Sequence, residues 1–172
     1  MRTLRSPALT LEPLVAAHAE AMFEPLSDPA MYAYMPGQPP ASVAALRERY
    51  AKLESRRSRD GTQQWLNWVV RLPGGECTGF VQATIHSRGT GDFAFAFAPR
   101  YWGRGMAHEA CSLALPSLFE DFHVTALYGT VDARNQRSSR LLERLDFHEI
   151  APADYPHGTA EPGDRVFERK RG

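Results

Sequence analysis

The stretch DFAFAFAPRYWGRGMAHEA, residues 92–110, constrains the fold more than any other part of the chain. Phe93, Phe95 and Phe97 alternate with small residues, the period-two pattern of a strand. Pro99 breaks that pattern, and Gly103 and Gly105 stand just before a run with helical spacing. A strand that feeds glycines into a helix start brings consecutive backbone N–H groups together. They lack partners within the helix, and the helix dipole favours an anion beside them. Glycine lets the backbone turn there and approach a ligand without a Cβ clash. A plain tight turn would use the same residues, so both readings stand on local sequence. Two nucleotide motifs are excluded. No G-x-x-x-x-G-K-[ST] occurs, and the third glycine of a G-x-G-x-x-G fingerprint is replaced by His108.

The flanking pattern embeds this stretch in one α/β sheet. Residues 7–14 read as a first strand with Leu9 and Leu11 on one face, ended by Pro13. Two helical patterns follow, from Val15 and from Val43, the second capped by Ser42. QQWLNWVVRL, ECTGFVQATIH and DFAFAFAP form an antiparallel meander joined by short turns. Next come a helix that Pro116 is expected to kink, the strand TALYGTVDA, the short helix NQRSSRLLERL and two final strands. Strand–helix–strand units in this second half predict some parallel pairing. The 172 residues are expected to form a single domain, 1–172.

Composition narrows the function classes. Formal net charge is zero, which removes general attraction to nucleic acid or to acidic membranes. No stretch approaches the ~18 apolar residues of a membrane span, and the N-terminus lacks a signal-like apolar core, so a cytoplasmic protein is expected. Cys77 and Cys111 lie far apart with no C-x-x-C, and no His/Cys/Asp group has metal-ligand spacing. No metal, nucleic acid or membrane partner is expected.

PRYWGRGMAHEA resembles the acyl-CoA loop of the GNAT N-acetyltransferase superfamily, in the branch of the ribosomal-protein N-terminal acetyltransferases. The family motif is Q/R-x-x-G-x-G/A. One register starts it at Trp102, with Gly105 and Ala107 as the later positions, and departs from Q/R. A second register uses Arg100, Gly103 and Gly105 and fits literally. A second segment, VDARNQRSSRLLERLDF, resembles the family's strand–Asn–helix unit, with Asp146 in place of the usual glycine.

The resemblance implies a mixed, mostly antiparallel sheet with splayed central strands flanked by helices. Acetyl-CoA is the implied co-substrate. Its pantetheine would pair with the backbone of Phe95, Ala96 and Phe97, and its phosphates would meet the N–H groups of Gly103, Arg104, Gly105, Met106, Ala107 and His108. Asn135 falls on the residue that contacts pantetheine. The implied catalytic groups are the Phe97 N–H, facing the thioester carbonyl, and Ser138, donating to sulfur. The tyrosine acid of many relatives is replaced by Leu142, and an acidic residue of some by Thr130. Glu76, His86, Asp92 and His157 remain as base candidates. Tyr32, Tyr34, Tyr155 and His157 are expected on the acceptor side. The acceptor is a protein N-terminus or an amine-bearing small molecule, and a homodimer is left open. The alternatives are an acyl-CoA-binding sensor or degenerate member, and a nucleotide-binding or oxidoreductase module on the glycine turn.

Overall fold

The computed structural model describes residues 1–86, 88–158 and 160–172. Ser87, in the expected turn 87–91, and Thr159, in the expected loop 151–163, lie outside the described residues. The strands are β1 (Leu4–Arg5), β2 (Thr10–Pro13), β3 (Gln63–Arg71), β4 (Cys77–His86), β5 (Thr90–Phe97), β6 (Ala126–Asp132), β7 (His148–Ile150) and β8 (Asp164–Lys170). The helices are α1 (Ala19–Phe23), α2 (Val43–Glu54), α3 (Met106–Glu120) and α4 (Gln136–Arg144). The strands make one sheet in the order β1-β2-β3-β4-β5-β6-β8-β7. Its pairs are antiparallel except β5–β6, which is parallel, as the β5–α3–β6 connection predicts.

Differences from the expected elements are confined to the first third of the chain. The strand expected over residues 7–14 is a hairpin. Ser6 N–H closes on Leu9 C=O at 2.9 Å around Pro7, and only Thr10–Pro13 pair with β3. The helix expected from Val15 splits into a 3₁₀ turn, Ala16–His18, and the short α1. Pro25 stops further propagation, since a proline has no N–H for the helix ladder. Ser42 caps α2 as expected, its hydroxyl accepting from Ala45 N–H at 3.1 Å. Pro116 lies inside an uninterrupted α3.

The two faces of the sheet carry different chemistry. On one, Trp68, Val81, Phe93, Phe97 and Leu127 pack against Ala110, Ala114 and Leu118 of α3 and Leu141 and Leu142 of α4. The other face passes through three cross-strand rows, because paired residues share a face. Val69, Phe80 and Ala96 lie in the cluster with Met22 of α1 and Leu46 of α2. Next come Asn67, Gln82 and Ala94, then Trp65, Thr84, Asp92 and Tyr128. This face turns from apolar to polar as it leaves the cover of α1 and α2.

The most consequential feature is where pairing stops. β5 runs to Phe97 and β6 to Asp132, yet they pair only at Thr90–Ala126, Gly91–Leu127 and Asp92–Tyr128. Beyond Asp92 the strands part, and a gap opens between them.

Candidate active site

One wall of the gap is backbone. Ala98 N–H donates to Thr78 C=O of β4 at 2.9 Å. Backbone direction alternates along an antiparallel strand. The N–H and C=O groups of Phe93, Phe95 and Phe97 therefore turn toward the gap, while their side chains serve the core. One of them already has a partner. The Trp102 indole N–H donates to Phe97 C=O at 2.7 Å, and the Arg137 guanidinium lies over the Trp102 ring at 4.4 Å. Neither Arg137 nor this role for Trp102 was legible in the sequence; the contact joins a loop to the first turn of α4.

The strand then enters the glycine turn. Gly103 and Gly105 both adopt left-handed backbone, with φ of 75° and 77°, and Gly105 is the N-cap of α3. Both need glycine for that reason. Glu109 N–H takes Gly105 C=O, the first bond of the helix ladder. Among the described residues no carbonyl receives the N–H groups of residues 103–108, which leaves six consecutive donors at one helix end. Arg100, the first position of the literal register, is committed elsewhere: it pairs with Glu24 at the end of α1 and with Glu76. Glu76 is thereby withdrawn from the base candidates.

Across the gap, α4 begins at Asn135. Its side-chain oxygen accepts from Ser138 N–H at 3.2 Å and caps the helix. The half-buried Ser138 hydroxyl has no hydrogen-bond partner among the described residues. Leu142 is fully buried and packs toward Gly129, so that position has no room for a larger acid. Thr130 is exposed. Beyond β6, Arg134 bonds Asp132 at 2.6 Å and holds its carboxyl down to about 2. The Arg134 guanidinium also lies over the exposed Tyr34 ring at 5.6 Å, so the 33–42 loop reaches the β6–α4 turn. Tyr32, expected beside it, instead donates to Leu26 C=O and packs into the cluster under α1 and α2.

At the apex of the gap the fold assembles what linear spacing hid. His86 ends β4, Asp92 lies in β5, and His157 and Tyr155 come from the β7–β8 connection. His86 Nε2 lies 2.9 Å from Asp92 Oδ2, and His157 Nδ1 lies 2.8 Å from Asp92 Oδ1. Tyr155 O–H donates to the same Oδ1 at 2.7 Å. Thr90 Oγ1 is 2.8 Å from the far nitrogen of His157, and the two imidazole ring centroids lie 3.9 Å apart, tilted by 30°. Tyr128 stands edge-on to His157 and donates to Glu168 at 2.7 Å. Burial, then the bond to Glu168, pushes the Tyr128 hydroxyl up to about 12. Burial, then the bond to Asp92, moves Tyr155 the same way. Both phenols therefore remain O–H donors at neutral pH. The sequence expectation that no metal-type cluster exists needs correction: the ligand atoms of His86, Asp92 and His157 all lie within 4.8 Å of one another. Thr90, Tyr128 and Glu168 had no sequence signal for membership, since only strand pairing brings them here.

The profile of the acetyltransferase (GNAT) domain matches residues 8–148. YkkB, an uncharacterised protein of Bacillus subtilis (strain 168), is 26% identical over 117 residues, covering 58% of this chain. That match spans 66% of YkkB, just under two thirds of its length. Among solved structures, the RimL ribosomal alpha-N-protein acetyltransferase in complex with coenzyme A superposes with a TM-score of 0.82 at 14% identity, covering 98% of each chain. A ribosomal-protein alanine acetyltransferase from Vibrio fischeri gives 0.80 at 14% identity over 99% of this chain and 97% of that one. Spermidine N-acetyltransferase from Vibrio cholerae, in complex with CoA and spermine, gives 0.75 at 20% identity over 94% and 95%. These structures share the fold, and the domain match over residues 8–148 establishes that the chain belongs to the GNAT acetyltransferase family.

Proposed function

We propose that the protein transfers an acetyl group from acetyl-CoA to a primary amine by direct attack in a ternary complex. The observation that carries this reading is the continuous donor track: the unpaired β5 edge at Phe95 and Phe97, followed by the free N–H groups of residues 103–108. An extended amide chain fits the first part as an added strand, with Ala96 between the two contacting residues. A pyrophosphate fits the second. Acetyl-CoA offers both in that order.

In this reading the amine nitrogen attacks the thioester carbonyl, a C–N bond forms, and negative charge develops on oxygen. The Phe97 N–H faces that oxygen, an interaction worth roughly 3 kcal/mol in the transition state. The C–S bond then breaks and the departing thiolate takes a proton, for which the Ser138 hydroxyl, unpartnered among the described residues, is the proposed source. Asn135 holds the pantetheine with its amide N–H₂, its oxygen being spent on the helix cap.

The acceptor is a protein N-terminus or a small amine. The solved relatives include enzymes for ribosomal-protein α-amines and for spermidine. A polycation needs free carboxylates. Here Asp132 is tied to Arg134, and Asp92 already meets three polar side chains. That favours a peptide α-amine or a small monoamine. A second reading, an acyl-CoA-binding sensor, draws on Leu142 and on Trp102 occupying Phe97 C=O. The deciding experiment is a thiol-release screen with acetyl-CoA against small amines, polyamines and a panel of peptide N-termini. Release with an α-amine supports transfer. Tight CoA binding without release in every well favours the sensor.

A further inference from the structure

We infer that a cavity at the start of β3, away from the gap, binds a small carboxylate with an apolar body, held by Arg56. This site does not depend on the transferase reading.

The cavity has a volume of about 430 Å³, and its lining includes Arg56 and Arg57 after α2, Gln64 and Leu66 of β3, Phe122 beyond the end of α3, and Met1. That volume falls within the ~300–1,000 Å³ of small-molecule sites. The 15 residues of α3, ~22 Å of helix, lie between Phe122 and the glycine turn at Gly105. The cavity is therefore separate from the track that would take acetyl-CoA.

Arg56 occupies a position that suits another residue better. Ser55 is the C-cap of α2, so Arg56 stands where helices commonly turn left-handed on a glycine. Its φ is 57°, a conformation in which a Cβ crowds the following carbonyl oxygen. The backbone around it is fixed. Arg56 N–H donates to Leu53 C=O at 3.0 Å, Trp65 N–H donates to Arg56 C=O at 2.9 Å, and Arg57 forms a bridge with Gln64. Glycine would make this turn without strain, yet the chain carries an arginine. Strain kept at such a point indicates a use for the side chain.

That side chain is also incomplete. Arg56 Nε is buried and has no hydrogen-bond partner among the described residues. A buried guanidinium N–H without an acceptor is costly, so the cavity lacks one acceptor. The acids next to this region in the chain are engaged elsewhere. Glu54 accepts from Ala16 N–H, Asp60 from the Ser58 and Thr62 hydroxyls, and Asp121 from Arg2 and Ser117. Among the described residues no carboxylate lines the cavity. Arg57 adds a second positive charge to the lining, and Gln64 a carboxamide. Met1, Leu66 and Phe122 supply apolar surface. The complement is a planar carboxylate, which a guanidinium binds through paired N–H donors, joined to a hydrocarbon body. Phosphate alone would leave the apolar surface and most of the volume uncovered.

The test is calorimetry and thermal melts on the full chain at neutral pH, with hexanoate, hexylamine and inorganic phosphate as probes. Hexanoate should bind with a Kd of about 1 mM or tighter, and Tm should rise as its concentration passes that Kd. Hexylamine and phosphate should bind at least ~10-fold more weakly. Arg56→Gln should weaken hexanoate at least ~10-fold. Arg56→Gly separates binding from folding: Tm without ligand should rise as the left-handed turn is relieved, while hexanoate binding is lost. Arg59→Gln, outside the lining, should change neither. Four results would each overturn the assignment. They are no binding of hexanoate at roughly 20 mM, phosphate binding as tightly as hexanoate, unchanged hexanoate affinity in the two Arg56 variants, and a lower Tm in Arg56→Gly, which would mean that the fold itself uses the side chain.

Discussion

The two sides of the gap are built by opposite means. In the proposed reading the CoA side is one unbroken segment, residues 95–108, and would work through backbone groups whose direction follows from strand alternation and two left-handed glycines. The far end of the gap, proposed as the acceptor side, is a constellation of side chains from β4, β5, β6 and the β7–β8 connection, up to 71 residues apart from His86 to His157. A backbone site depends on local geometry, so it tolerates many side chains and almost no change of glycine. A side-chain site depends on every strand register that delivers it, so each residue matters and none is announced locally.

That contrast can be broken from the backbone side first. Gly105→Glu combines a left-handed φ of 77° with a carboxylate at the anion track. Nothing lies within 4 Å of a Cβ built there, so the fold should survive with a strain of about 1–2 kcal/mol. Acetyl-CoA affinity should fall by at least ~100-fold, or ~2.7 kcal/mol, in calorimetry on the folded variant. Unchanged affinity would show that the helix end is not the anion site.

Ser138→Ala probes the one side chain on the CoA side assigned a proton. Its hydroxyl has no other partner, so stability should hold while kcat falls about 10–100-fold, more than KM for acetyl-CoA rises. Coincident kcat values and pH profiles would leave solvent as the proton source.

Asn135 serves both a helix and, in this reading, a ligand, and two substitutions separate them. Asn135→Ala removes the cap and should cost about 1 kcal/mol of stability in denaturant melts, together with a higher KM for acetyl-CoA. Asn135→Asp keeps a capping oxygen and lacks the N–H₂ donor. It should keep the stability and still raise KM. Equal KM for wild type and Asn135→Asp would confine Asn135 to the cap.

The smallest effect sharpens the comparison most. Trp102 N–H occupies the Phe97 carbonyl that faces the gap. If pantetheine takes that carbonyl, binding must first displace the indole. Trp102→Phe should then tighten acetyl-CoA binding about two- to fivefold, the scale of one net hydrogen bond. Weaker binding in the variant would mean that Trp102 packs on the ligand and does not compete with it.

Much of this molecule was readable in the chain. The meander β3–β4–β5 was legible because period-two alternation and short turns both act locally. The helix start at Met106 was legible because Gly103 and Gly105 have few other uses before a helical run. The first third was less so. Leu9 and Leu11 look like one strand face, yet Pro7 and Ser6 turn the chain between β1 and β2, a competition that only pairing with β3 settles. Tyr32 and Tyr34 looked alike in sequence, and a 3₁₀ turn sends one inward and leaves the other exposed.

The sequence by itself determined the elements, their order and the glycine turn, because those follow from dihedral preferences and periodicities that span only a few residues. Only the tertiary structure decided that β5 and β6 part after Asp92, that Arg100 and Glu76 neutralise each other, and that His86 and His157 close on one carboxylate. The reason is physical. Strand pairing converts sequence distance into a spacing of a few ångströms between neighbours on one face, and which strands become neighbours is settled by burying two hydrophobic faces at once, a property of the whole chain.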